Sequence, residues 1–316
     1  MNRRAALPTP ERSIGSFTRW LDNHVQDDYV ARHDADRIDW MRCVPFVGMH
    51  VACAGVFFVG FSRTALLVAV VLYALRMFAV TGFYHRYFSH RTFRTSRVFQ
   101  CMMAATGCLA VQRDPIWWAA HHVHHHKHSD KADDPHSPTH LGFWKSHVGW
   151  FMTKASFPTR TEYVKDWVKF PELIFLNRFD WLPGVMLAAA LFVIGAWLQR
   201  FAPELGTSGM QLLVWGFFVS TIALHHATFT VNSLAHGWGS KRFLTRDDSR
   251  NNLWIALLTL GEGWHNNHHH YPGSARQGFY WWEIDVTYYG LRLLQALGLI
   301  WDLRGVPDAA LVRNRL

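Results

Sequence analysis

Three histidine clusters carry side chains that can do chemistry: HRYFSH from His85 to His90, HHVHHH from His121 to His126 and HNNHHH from His265 to His270. Neutral imidazole suits iron, copper and zinc alike, so residue type points to a transition metal without choosing one. One zinc takes about four ligands. The clusters offer about twice that number at regular spacings, which points to a two-metal centre. Helical residues turn by about 100° each, so i, i+3 and i+4 share a face. His122, His125 and His126 have that spacing, and His265, His268 and His269 repeat it; each triad is expected to aim three rings at one point. His85 and His90 are about 140° apart on an ideal helix and converge only where the helix ends or bends, near Gly82. In VNSLAH, Asn232 and His236 form an i, i+4 pair. The candidate metal ligands are thus His85, His90, His122, His125, His126, His236, His265, His268 and His269, with Asn232 able to hold a metal-bound water.

The clusters must be held by elements of unusual apolarity. The chain has 316 residues with 16 Trp and 23 Phe, and four apolar runs, 44–61, 64–82, 182–198 and 210–231, approach the length of a membrane span. About 20 residues cross about 30 Å of hydrocarbon. Short connections join them in pairs, so an all-α integral membrane protein with two helical hairpins is expected. The run 98–111 is too short to span and is expected to be interfacial or re-entrant. Residues 1–43 form a separate N-terminal segment and 44–316 the membrane domain. Apart from Arg63, Arg76 and Arg200, every Lys and Arg lies outside the spans and their short loops, so the positive-inside rule places both termini and all the histidine clusters in the cytoplasm.

Several residues have plainer roles. The net charge of +9 fits contact with anionic lipid, with an anionic substrate headgroup or acidic electron donor as the sharper alternative; no nucleic-acid partner is expected. The four cysteines form no CxxC pair and read as small buried residues. Asp130, Asp133, Asp134 and Glu262 are expected to orient ligand imidazoles by accepting their second N–H. His121, His124, His128 and His270 read as supporting or solvent-facing, and His225 as internally hydrogen-bonded. Arg76, within an apolar run, either serves function or instead snorkels or pairs with a polar group of another span.

With these residues in order, the chain resembles the membrane fatty acyl desaturases, both the stearoyl-CoA type and the cyanobacterial and plant Δ9 type. HRYFSH is similar to the family's first box, HVHHH to its second and HNNHH to its third, and DDPHSP, GFWKSHVGW, VNSLAH and GEGWHNNHH extend the likeness from about Thr81 to Leu303. The resemblance implies the same nine histidine ligands and a water-mediated contact at Asn232. It also implies four spans under a helical cytosolic cap that holds a di-metal centre, and a kinked tunnel for the acyl chain. Trp144, Trp150 and Trp264 are expected to wall that tunnel. Where the animal acyl-CoA branch has Arg-Asp and Arg-Lys, this chain has Ala120-His121 and Thr153-Lys154, whereas SARQG and WWEID are similar to the plant and cyanobacterial branch.

The implied activity is insertion of a cis double bond at Δ9 of a saturated chain carried on CoA or on a lipid. Its cofactors are two iron ions, its co-substrate dioxygen. An unactivated C–H bond offers no acidic proton, so a metal oxidant is needed rather than acid–base side chains. Electrons are expected from a separate donor, a ferredoxin or a small cytochrome with its reductase. A membrane di-iron hydroxylase or alkane monooxygenase stays open as an alternative, as does a histidine-rich metal transporter.

Overall fold

Backbone polar groups within a bilayer have no water to bond, and the helix satisfies them internally. In the computed structural model, the four apolar runs accordingly lie in four helices long and apolar enough to cross a membrane. The structure describes residues 21–23 and 36–316. Residues 1–20 and 24–35, and with them most of the N-terminal segment 1–43, lie outside the described residues. The helices that frame the clusters are α1 (Trp40–Val59), α2 (Arg63–Ser89), α3 (Arg97–Cys108), α4 (Pro115–His128), α5 (Trp181–Phe201), α6 (Gly209–Ser233), α7 (Leu253–Leu258), α8 (His265–His270), α9 (Val286–Ala296) and α10 (Asp308–Val312). Among the described residues, named strands are confined to one antiparallel pair, β1 (Arg94–Thr95) with β2 (Ile300–Trp301).

The loop after α5 meets the start of α2, where Thr64 Oγ1 donates to Leu205 O at 2.5 Å, and the loop after α1 meets α6, where Trp215 Nε1 donates to Gly60 O at 3.0 Å. From Arg63 in that region, α2 runs about 33 Å to His85. It outruns its apolar stretch by seven residues, ending at Ser89 rather than at residue 82. Hydropathy falls at HRYFS, but these side chains are enclosed by protein rather than lipid; His85 and Arg86 are buried. On α1, by contrast, Phe57 and Phe58 are 86% and 89% exposed, as suits a lipid-facing surface. The short run at 98–111 forms the 12-residue α3, which is too short to span.

Arg76 is buried and pairs with other segments. It donates to Leu72 O at 3.1 Å, Leu109 O at 3.2 Å, Thr221 Oγ1 at 2.7 Å and Ser220 Oγ. Of its two readings, pairing with polar groups of another span is the one found. His225 likewise bonds internally, its Nε2 to Ala110 O at 2.9 Å.

The start of α4 is set by Asp114 and Pro115. The Asp114 carboxylate accepts from Ile116 N at 2.8 Å and Trp117 N at 3.1 Å, and its other oxygen accepts from Asn177 Nδ2 at 2.9 Å. Proline at the first helical position gives up no intrahelical bond. Because the carboxylate is fully buried, Asp114→Ala leaves two backbone donors without partners, while Asn177 Nδ2 keeps Thr159 Oγ1 at 2.9 Å. The expected cost is about 2 kcal/mol, against a much smaller loss in Asp114→Asn, read from thermal unfolding in detergent.

Candidate metal centre

All nine imidazoles singled out by spacing come together, but in two groups. His85, His90, His122, His126 and His268 have ligand nitrogens within 4.8 Å of one another, as do His125, His236, His265 and His269. Each HxxHH triad is therefore divided rather than aimed at one point. On a helix i+4 lies about 40° from i on one side and i+3 about 60° on the other. His122 and His126 thus face the first group while His125 faces the second, and His265 and His269 face the second while His268 faces the first.

His85 and His90 meet because the end of α2, Ala79–Ser89, widens into π-helical turns. An i→i+5 hydrogen bond brings residues five apart into register, and such turns are frequent at functional sites. His90 N donates to His85 O at 3.2 Å, and the two ring centroids are 4.9 Å apart.

Four carboxylates fix the proton positions. His125 Nδ1 donates to Asp134 at 3.0 Å, His236 Nδ1 to Asp130 at 2.8 Å, His269 Nδ1 to Asp247 at 2.7 Å, and His85 Nδ1 pairs with Glu262. An ionised carboxylate only accepts, so each of these rings carries its proton on Nδ1 and turns an Nε2 lone pair inward. Burial pushes these carboxyls up, but their imidazole partners prevail: Asp130 is held down to about 2, and Asp134 and Asp247 below the usual range. Glu262 is lowered by His85 and Arg86 against the same burial. Burial, then neighbouring imidazoles, pulls His90, His122, His126, His265 and His268 well below the usual histidine range, leaving them in the neutral form that metals bind.

The donor set fits a pair of cations. Nε2 atoms face one another at 2.8 to 3.1 Å in the pairs His90–His122, His126–His268, His236–His265 and His85–His268. Two ligands at right angles on metal bonds of about 2.1 Å stand about 3.0 Å apart. The buried His269 Nε2 has no hydrogen-bond partner.

Arg86 and two asparagines hold the third cluster in place. Arg86 donates to Ala275 O at 2.7 Å, Asp285 at 2.9 Å and Glu262 at 3.2 Å. Asn266 Oδ1 accepts from Arg242 N and Phe243 N, both at 2.8 Å. Asn267 Nδ2 donates to Glu283 Oε2 and Gln277 O, both at 2.9 Å. Gly261 precedes the cluster at φ +133, where a Cβ would meet the Asp285 carboxylate.

A predominantly apolar cavity of about 290 Å³ reaches the clusters at His85, His122, His125 and His265, and Asn232 lines it too. Of the three tryptophans expected in its wall only Trp150 is there. Trp144 is 75% exposed, and Trp264 turns its Nε1 to Ile284 O at 2.8 Å. Trp117 and Trp118 take their place, with Trp118 stacked on His122 at 5.0 Å. Among the described residues Asp133 meets an imidazole through its backbone carbonyl, which accepts from His124 Nε2 at 3.1 Å. His270 bonds Ala310 O at 2.8 Å and His128 bonds His124 O at 2.9 Å.

Sequence reasoning missed Asp247 and His136. His136 packs 4.2 Å from His125 and lines the cavity; its place in DDPHSP was its one signal. Asp247 offered none, being 22 residues from His269. Replacing it by alanine removes the acceptor that orients His269, so Asp247→Ala is expected to weaken divalent-metal binding by about 10- to 100-fold, measured by chelator competition.

Comparison with known proteins agrees with this geometry. The fatty acid desaturase profile matches residues 62–296. The chain is 39% identical over 269 residues to a probable chloroplastic lipid desaturase of Arabidopsis thaliana, covering 84% of this chain and 70% of that protein. It is 37% identical over 300 residues to an acyl-CoA 5-desaturase of Anemone leveillei, covering 91% and 88%. It is 34% identical over 278 residues to an sn-1 stearoyl-lipid 9-desaturase of Anabaena variabilis, covering 87% and 97%. With a match over most of its length and three histidine boxes in order, the chain belongs to the fatty acid desaturase family.

Proposed function

We propose that the protein is an oxygen-dependent fatty acyl desaturase that introduces a cis double bond at the 9-position of a saturated chain carried on CoA or on a lipid. One observation carries the reading: an apolar cavity ends against two groups of inward-facing imidazoles. His85, His90, His122, His126 and His268 would hold one iron ion. His125, His236, His265 and His269 would hold the other, with Asn232 contacting it through water. Bound iron supplies, with dioxygen, the oxidising power to break unactivated C–H bonds.

The chain's own residues do the rest. The carboxylate–imidazole pairs hold four rings in the metal-binding tautomer. Trp117, Trp118 and Trp150 exclude water and confine the acyl chain, so that position along the chain is chosen by where the cavity wall stops it. Relatives named for the 5-position and the 9-position match at similar identity, which supports assigning regiochemistry to the cavity rather than to the shared histidines. The scarcity of basic residues about the two short loops, where only Arg63 at the start of α2 and Arg200 near the end of α5 stand, supports an arrangement of two hairpins with the clusters in a cytosolic cap. Electrons then come from a separate cytosolic carrier.

The protein expressed in cells lacking their own desaturase is expected to yield 9-unsaturated lipids, located by mass spectrometry. Double bonds at the 5-position would correct the regiochemistry; a retained atom of isotopically labelled dioxygen in the product would mark a hydroxylase instead. His268→Ala removes a ring whose Nε2 faces both His85 and His126. It is expected to lower activity by about 100-fold or more and to reduce bound iron, with membrane insertion unchanged. Full activity in that variant would sink the ligand assignment.

A further inference from the structure

Two openings reach the imidazole groups, and they share no histidine. The apolar cavity touches them through His85, His122, His125 and His265. A second pocket, of about 410 Å³, touches them through His126 and His269. These two rings belong to different groups, and they stack with centroids 4.5 Å apart and planes inclined by 24°. The floor of the second pocket is therefore the seam between the two groups, where one approach reaches rings of both.

Its walls do not suit an acyl chain. They come from the loop around Thr245 and Arg246 and from the residues about α10. Arg246 and Arg313 are exposed at the rim, and neither is in an ion pair among the described residues. Asp247, the carboxylate in the wall, is already held by His269. A cationic rim over two imidazole edges attracts an acidic surface and speeds its encounter.

We propose that this pocket is the docking site of the electron donor, a small acidic one-electron carrier protein. The proposal rests on the desaturase reading, which requires reducing equivalents from outside. Each docked carrier is oxidised by one electron, which passes by way of His126 or His269 to the centre. Two carriers serve each double bond: the acyl chain gives up two hydrogen atoms, and with two electrons and two protons one dioxygen becomes two waters.

The probes are the iron-loaded protein in nanodiscs and an acidic plant-type ferredoxin kept reduced by its reductase. The double variant Arg246→Glu/Arg313→Glu is expected to weaken ferredoxin binding about tenfold or more at low salt, measured by surface plasmon resonance, and to slow ferredoxin oxidation in stopped flow. Arg246→Lys/Arg313→Lys keeps the charge and is expected to bind as the parent does, and so is Lys165→Glu, which alters an exposed residue outside the pocket. Iron content, and the product of a single turnover after reduction with dithionite, should match the parent in every variant. Unchanged binding and oxidation rate in the charge-reversed protein overturn the proposal. So does unchanged binding with failed single turnover, which would mark the pocket as a passage for dioxygen or water. If the parent oxidises ferredoxin without forming alkene, the desaturase reading fails, while charge-dependent binding still supports docking here.

Discussion

The centre depends on four hydrogen bonds, those from His85, His125, His236 and His269 to Glu262, Asp134, Asp130 and Asp247. Each puts the imidazole proton on the outer nitrogen and leaves a lone pair on the inner one. Each of these inward lone pairs needs a positive partner, a neighbouring ring's N–H or a bound cation. The surrounding carboxylates are balanced by little cationic charge: Arg86 is shared between Glu262 and Asp285. Inner nitrogens and outer carboxylates both suit cations in the middle, and on the proposed reading metal binding would be part of the free energy that holds the helices together.

The scaffold follows from this demand. Four rings come from the ends of α2 and α4 on one side of the chain's middle, and four from α8 and the stretch after α6 on the other, with His125 facing across to the second set. A regular helix spreads i, i+3 and i+4 over about 100°, so one short helix can serve two neighbouring points. α4 and α8 both do so. Where spacing does not fit the helix, at His85 and His90, the helix itself widens.

The ligand candidates were legible because histidines at helical spacing are rare by chance and stood beside spans. Their division into two groups was not, since the fan that splits a triad also looks like one face when read along the sequence. The widened end of α2 has no compositional mark, and hydropathy stops the span at residue 82 because it cannot distinguish HRYFS in water from HRYFS enclosed by protein. Asp247 reaches His269 through a loop whose path no periodicity encodes. The tryptophans failed for a related reason: Trp117 and Trp144 are equally apolar, and only the packing of α4 decides that the first lines the cavity and the second faces outward.

The proposed separation of access for substrate and electrons would also answer a physical conflict. A saturated chain needs dry, apolar walls to be held in one register, whereas an acidic carrier needs exposed cations and a polar rim, and one channel cannot offer both. The nine rings resolve this by position. His85 on α2, His122 and His125 on α4 and His265 on α8 present themselves to the apolar cavity, while His126 and His269, one turn further along α4 and α8, are left to the second pocket. α4 and α8 thus each contribute a ring to either opening, because histidines four residues apart on one face stand about 6 Å apart along the axis.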